Sequence, residues 1–259
     1  MNAPAIKINR PVREQVSREE WETRVNLAAC YRLMHEFGMV EMIANHISAR
    51  VPGTSDEFLI NPYGMLYEEM TASSMVKIDL EGNILFNATD YGINQAGYVI
   101  HSAIHAARHD VQCVIHTHTL AGMAVSAMKS GLLPIAQTSM RWAKGVAYHD
   151  YEGIAINPEE RERLVRDLGS NDAMILRNHG LLTCGPSIPE CFNNMYRLER
   201  ACQLQVMALS CNTELALPPQ EIVDRTWQLF QPGVRRRFGL LEWPALLRKL
   251  DRIDPSYRD

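Results

Sequence analysis

The segment QCVIHTHTLAGMAV, Gln112 to Val125, changes character in the middle. The run VQCVIH, residues 111–116, is short and almost unbroken in its apolar residues, and predicts a buried strand. From about Leu120 to Lys129 the apolar spacing turns helical. A strand that runs directly into a helix belongs to a layered α/β fold. The rest of the chain agrees. A Ser-x-x-Glu capping box at Ser17 opens a helix that ends at Gly38. HISARV, EFLINP and MVKIDLEGNIL read as strands, the last as a hairpin turning at Glu81-Gly82-Asn83. A second helix is expected over 94–108 and a long one over 188–211. GIAIN, DAMILRN and GLLTCG read as further strands. Helices mixed with hairpins argue for a sheet that is not purely parallel. The spacing divides the chain into an arm (1–17), a main domain (18–211) and a more polar tail with short helices (212–259).

Composition excludes some partners. The 26 Lys and Arg against 30 Asp and Glu are dispersed, so no electrostatic footprint for nucleic acid is present. The densest basic run, Arg235–Arg237, reads as a solvated face. No apolar run approaches the roughly 18 residues of a membrane span, and the N-terminal stretch is polar. A soluble, cytoplasmic protein is expected. Six cysteines with no CxxC pair read as reduced, buried thiols.

The chemistry sits in the histidines. On a strand His116 and His118 share a face, with Thr117 opposite, so two imidazoles can converge on one ion. His179 breaks an otherwise apolar hairpin, AMILRNHGLLTCG, next to Gly180, which supplies a tight turn or a close backbone approach. Three histidines would make a site with an open coordination position. Polar strand-end residues and a satisfied turn histidine remain the plainer alternative. So does a second cluster, His101, His105 and His109, spaced four apart along one helix face.

The blocks NHISARV, NPYGMLYEEMTASSMVKIDLEGNI, GINQAGYVIHSAIHAARHDVQCVIHTHTLAGMAVSAMKSGLLPI, VAYHDYEGI and LRNHGLLTCG, spread over residues 18–211, resemble the class II aldolase/adducin family. Within it they look like the adducin head domain and its bacterial relatives. The resemblance implies a three-layer α/β/α fold with a central, mostly antiparallel sheet, assembled as a homotetramer. It also implies one zinc ion per chain, or another divalent metal such as manganese, on His116, His118 and His179, and demotes the helical stripe to a supporting role. Asn45 matches the family's substrate-phosphate loop. The aldolases carry a proton-transferring glutamate where this chain has Gly97, and a serine pair where it has Gln95-Ala96. Asp90, Glu41, Tyr98 and Tyr148 are candidates to replace that glutamate. Tyr257 is a candidate for the C-terminal tyrosine that family members insert into a neighbour's site.

Two functions are therefore expected. One is a metal-dependent lyase, decarboxylase or epimerase acting on a small molecule. The other is a catalytically silent, adducin-like scaffold. The long basic tail of adducins is not in this sequence, so an actin-related role is not expected.

Overall fold

The structure, a computed structural model, describes residues 11–153 and 159–259, with the side chains of Gln95 and Ala96 outside the described set. The expected strand GIAIN therefore lies almost wholly outside it. Helix α1 (Arg18–Glu36) comes first. Ser17 Oγ accepts from Glu20 N–H at 3.0 Å and caps it. Only half of the expected box forms, because the Glu20 carboxylate turns instead to the buried Arg24 (2.9 Å) and to Lys77 (3.1 Å). Strands β1 (His46–Arg50), β2 (Glu57–Ile60), β3 (Val76–Asp79) and β4 (Ile84–Phe86) follow. The β3–β4 turn falls where expected: Asp79 Oδ1 accepts from Glu81 and Asn83, and Gly82 takes a φ of 88°.

Next come α2 (Gln95–Ala107), β5 (Cys113–Thr117), α3 (Leu120–Ser126), α4 (Gln137–Met140) and β6 (Ala147–His149). The chain ends with α5 (Glu160–Leu168), β7 (Ala173–Leu176), β8 (Gly180–Gly185), α6 (Ile188–Ser210), α7 (Gln220–Leu229) and α8 (Trp243–Ile253). The strands form one sheet in the order β4-β3-β2-β1-β5-β8-β7-β6. Every neighbouring pair is antiparallel except β6–β7.

Alternation along the central strands sorts the core into two faces. Ile115, Ile175 and Leu181 pack in one cluster with Leu27 and Met34 of α1 and Met195 and Leu198 of α6. Val114, Met174 and Leu182 pack in another with Ile100 and Ile104 of α2 and Leu164 and Leu168 of α5. The sheet is thus covered by α1 and α6 on one side and by α2 and α5 on the other. Both faces are apolar at β5, the middle of the sheet, which is why its sequence is so uniformly hydrophobic. Truncating a residue such as Ile115 to alanine costs about 2–5 kcal/mol. The Tyr31 hydroxyl of α1 accepts from Ile47 N–H (2.8 Å) and fixes β1 beneath the helix.

The tail contributes to the first cluster through Trp243, Leu250 and Tyr257. Tyr257 is fully buried, and its hydroxyl donates to Asp251 (2.8 Å). The expectation that it reaches out to a neighbour is corrected: the ring is held in the core of its own chain. Five cysteines are buried and Cys211 is exposed, with no disulfide among the described residues. No helix among those residues is long and apolar enough to cross a membrane.

Candidate metal centre

His116 lies near the end of β5 and His118 directly follows the strand. Strand alternation puts both on one face, while Thr117 turns the other way to Met195 Sδ (3.5 Å) on α6. His179 arrives from the turn between β7 and β8. Leu176 pairs with Gly180, which leaves Arg177, Asn178 and His179 as the turn. Asn178 takes the left-handed conformation (φ 55°) that asparagine tolerates. Its N–H reaches the carbonyl of Ser126 at the end of α3. Gly180 meets the close-approach expectation: a Cβ there would stand 2.2 Å from the Thr117 carbonyl oxygen. Only glycine lets β8 begin this tightly against β5, and that brings His179 to the pair.

The three Nε2 atoms converge. His116 and His118 are 2.8 Å apart, His118 and His179 3.0 Å, and His116 and His179 3.3 Å. Ligands about 2.0–2.1 Å from a tetrahedral zinc stand about 3.4 Å from one another, so a small inward-to-outward adjustment seats an ion. The opposite ring nitrogens say what the Nε2 atoms are. His116 Nδ1 faces the Leu181 carbonyl (2.9 Å), which can only accept, and His118 Nδ1 faces Glu41 Oε2 (2.7 Å). Both Nδ1 atoms therefore donate, and both Nε2 atoms present lone pairs to each other. Two facing lone pairs repel, and a metal ion between the nitrogens would turn that repulsion into attraction. Burial first, then the neighbouring imidazoles, hold His116 well below the usual histidine range, and burial with His118 brings His179 down to about 4. At neutral pH His116 and His179 are thus left with lone pairs for a metal. These three residues form the one group of potential ligands that meets within 4.8 Å among the described residues.

The surroundings were only partly anticipated. Of the four candidates to replace a glutamate, Glu41 touches the site, as the orienting partner of His118. Tyr98 bonds to the Leu80 carbonyl, Tyr148 accepts from Leu132 N–H under the Arg177 guanidinium, and Asp90 is an exposed loop residue. Asn45 Oδ1 accepts from Glu41 N–H (2.6 Å), so it holds the loop that carries Glu41, and its buried Nδ2 has no partner among the described residues.

The space beside Gly97 is filled by His46, which sequence reasoning missed. A Cβ on Gly97 would lie 2.5 Å from His46 Cδ2. His46 pairs in register with His116, and its Nδ1 bonds His101 Nε2 (2.8 Å). The bonding continues from His101 Nδ1 to Ser48 Oγ (2.6 Å) and on to His105 Nε2 (2.8 Å). Two members of the helical stripe are therefore buried partners of β1, and His109 lies past the end of α2, exposed. Tyr151, at 6.3 Å between ring centroids from His179, is a second neighbour without a sequence signal.

The Class II Aldolase and Adducin N-terminal domain matches residues 25–206. The chain belongs to this family. An aldolase II superfamily protein from Pseudomonas syringae, of known crystal structure, is 52% identical, with a TM-score of 0.90 over 96% of this chain and 99% of that one. The rat α-adducin is 49% identical over 89% of this chain, which spans 33% of the adducin. The L-fuculose 1-phosphate aldolase of Glaciozyma antarctica is 26% identical, with a TM-score of 0.82 over 93% of each chain. A class II aldolase fold thus presents a histidine triad able to hold a divalent metal.

Proposed function

We propose that the chain is a metal-dependent enzyme acting on a small oxygen-rich molecule by aldol cleavage, decarboxylation or a related enediolate reaction. One zinc or manganese ion is held by His116, His118 and His179. The observation that carries this is the meeting of three Nε2 lone pairs, two of them enforced by the partners of the opposite nitrogens. A bound divalent cation would supply Lewis acidity to a substrate oxygen. The chain's own residues do the rest. Glu41 fixes the ring of His118, Asn45 fixes Glu41, and the free Nδ2 of Asn45 is a donor for a substrate oxygen.

Gly97 stands where aldolases of the family place their glutamate. General acid–base help of that kind is worth about 10²–10⁴-fold, so cleavage of sugar phosphates is not the reaction we assign. The kinship with α-adducin, at 49% identity, supports a second reading, a binding module that keeps the fold without turnover. Metal analysis of the purified protein and of His116→Ala tests the first reading. We expect about one ion per chain, lost in the variant, and no turnover of L-fuculose 1-phosphate. Metal-free protein, or equal metal in the variant, overturns the assignment. Brisk retro-aldol turnover overturns the role given to Gly97.

A further inference from the structure

A cavity of about 570 Å³ opens at the other end of the sheet, between the main body and the C-terminal helices. His179 precedes the first residue of β8 and Pro186, in the cavity wall, follows the last. Six strand residues separate the two places by about 20 Å. The size falls within the roughly 300–1,000 Å³ of small-molecule sites.

Arg141, just past α4, lines this cavity. Its guanidinium donates to Asn194 Oδ1 (2.7 Å) and Asn193 Oδ1 (3.2 Å) of α6. The rings of Trp142, Phe238 and Phe230 surround it at 5.0, 5.2 and 5.9 Å. Amides and rings hold the group in place, while Asp172 and Glu242 attract its charge from a distance without pairing with it. The other cations of the wall are paired: Lys144 with Asp224 (2.7 Å), Arg237 with Glu190 (2.5 Å) and Arg236 with Glu242 (2.9 Å). Asp172, also in the wall, is 3.7 Å from Arg108. Among the described residues no carboxylate forms an ion pair with Arg141. Burial, then the repulsion of Arg197, lowers its pKa to about 10, which still leaves it charged at neutral pH. The indole N–H of Trp142 is likewise buried without an acceptor. A partly desolvated cation without a direct ion pair is costly, and an anion in contact with it relieves that cost.

We propose that this cavity binds a small organic anion carrying a flat ring, with its carboxylate or phosphate on Arg141 and its ring among Trp142, Phe230 and Phe238. The site is separate from the histidines and does not depend on the metal. Titration of the full-length, chelator-treated protein, followed by tryptophan fluorescence, tests it with four probes. Benzoate and phenyl phosphate carry both ring and charge, and their ratio identifies the preferred head group. Benzamide lacks the charge and inorganic phosphate lacks the ring. We expect saturable quenching by at least one ring anion, with benzamide and inorganic phosphate weaker by about tenfold or more. Arg141→Gln should weaken the ring anion by about tenfold or more and Arg141→Lys by less, since it keeps the charge without the fork. Should Arg141→Gln not fold, the Lys variant decides, and wild-type affinity in it overturns the proposal. The proposal also fails if neither ring anion binds at millimolar concentration, or if Arg141→Gln binds as tightly as wild type. A change of oligomeric mass in Arg141→Gln, without loss of a ligand, would assign the cavity to an acidic group of a second copy and likewise overturn it.

Discussion

Replacing Gly97 with alanine adds one carbon where three His46 atoms would stand 2.5, 2.8 and 2.9 Å away. Ordinary contacts begin near 3.4 Å, so something must move by most of an ångström. His46 is not free to move: it is buried between α2 and the sheet and bonded to His101 at 2.8 Å. If the helix shifts, overpacking costs about 1–3 kcal/mol. If the ring swings away, a buried hydrogen bond is broken and its members are left unsatisfied, at about 1–3 kcal/mol. Against this, alanine is favoured over glycine in a helix by about 1 kcal/mol. The net expectation is a loss of about 0–2 kcal/mol, or up to roughly 8 °C in Tm for a chain of this size.

A double-mutant cycle isolates the clash. In a His46→Ala background the obstacle is gone, and Gly97→Ala should become neutral or stabilising, giving a coupling above about 1 kcal/mol. Thermal or urea unfolding of the four proteins supplies the numbers. If Gly97→Ala stabilises the wild type, or costs the same in both backgrounds, the argument about this glycine is wrong.

Glu41→Gln keeps a partner for His118 but removes the charge, and should weaken divalent-metal affinity by about 10–100-fold while leaving the fold intact, as competition with a chromogenic chelator would read out. His105 is held down to about 3 by burial and then by Arg50. Its folded pKa lies below the unfolded value near 6.5, so the unfolded chain alone takes the proton between those limits. Stability is therefore unaffected above about pH 6.5 and falls by about 1.4 kcal/mol per unit as pH drops toward 3. Urea titrations at pH 7 and 5 should differ by about 2 kcal/mol more in wild type than in His105→Gln, and equal differences would refute the assignment. The family assembly leads us to expect four chains per particle, which light scattering of the purified protein checks.

The triad was legible in two steps: strand periodicity places His116 and His118 side by side and a polar residue in an apolar hairpin marks His179, while the family resemblance joined the three into one set. The layered fold followed from a buried strand running straight into a helix. Other parts were hidden by dependence on distant partners. His46 looked like an ordinary strand residue in NHISARV, and only the register with β5 brings it against His116. Glu41 was one of four acids and tyrosines, and it is singled out by a turn that Asn45 pins. The third helix stops at Ser126 rather than Lys129, where the histidine-bearing turn takes the Ser126 carbonyl. The edge strand β6 is too short, at three residues, to show a period of its own. Tyr257 could not be placed by any local pattern, since its burial depends on how the tail folds back over α1.

The tight seam between β5 and β8 also acts as a gauge. Two of the candidate ligands sit on or beside one strand, and the third hangs from a three-residue turn followed by Gly180, which abuts that strand's backbone. The bite of the site is thus set by interstrand spacing, near 4.8 Å, and not by a pliable loop. A ring of imidazoles on so stiff a frame opens by the few tenths of an ångström that a small ion needs and resists opening much further. It favours ions with bonds of about 2.0–2.2 Å and discriminates against calcium, which wants six to eight oxygens at 2.3–2.6 Å. Metal choice at the proposed site would then be a property of the sheet, written into the backbone before any side chain meets an ion.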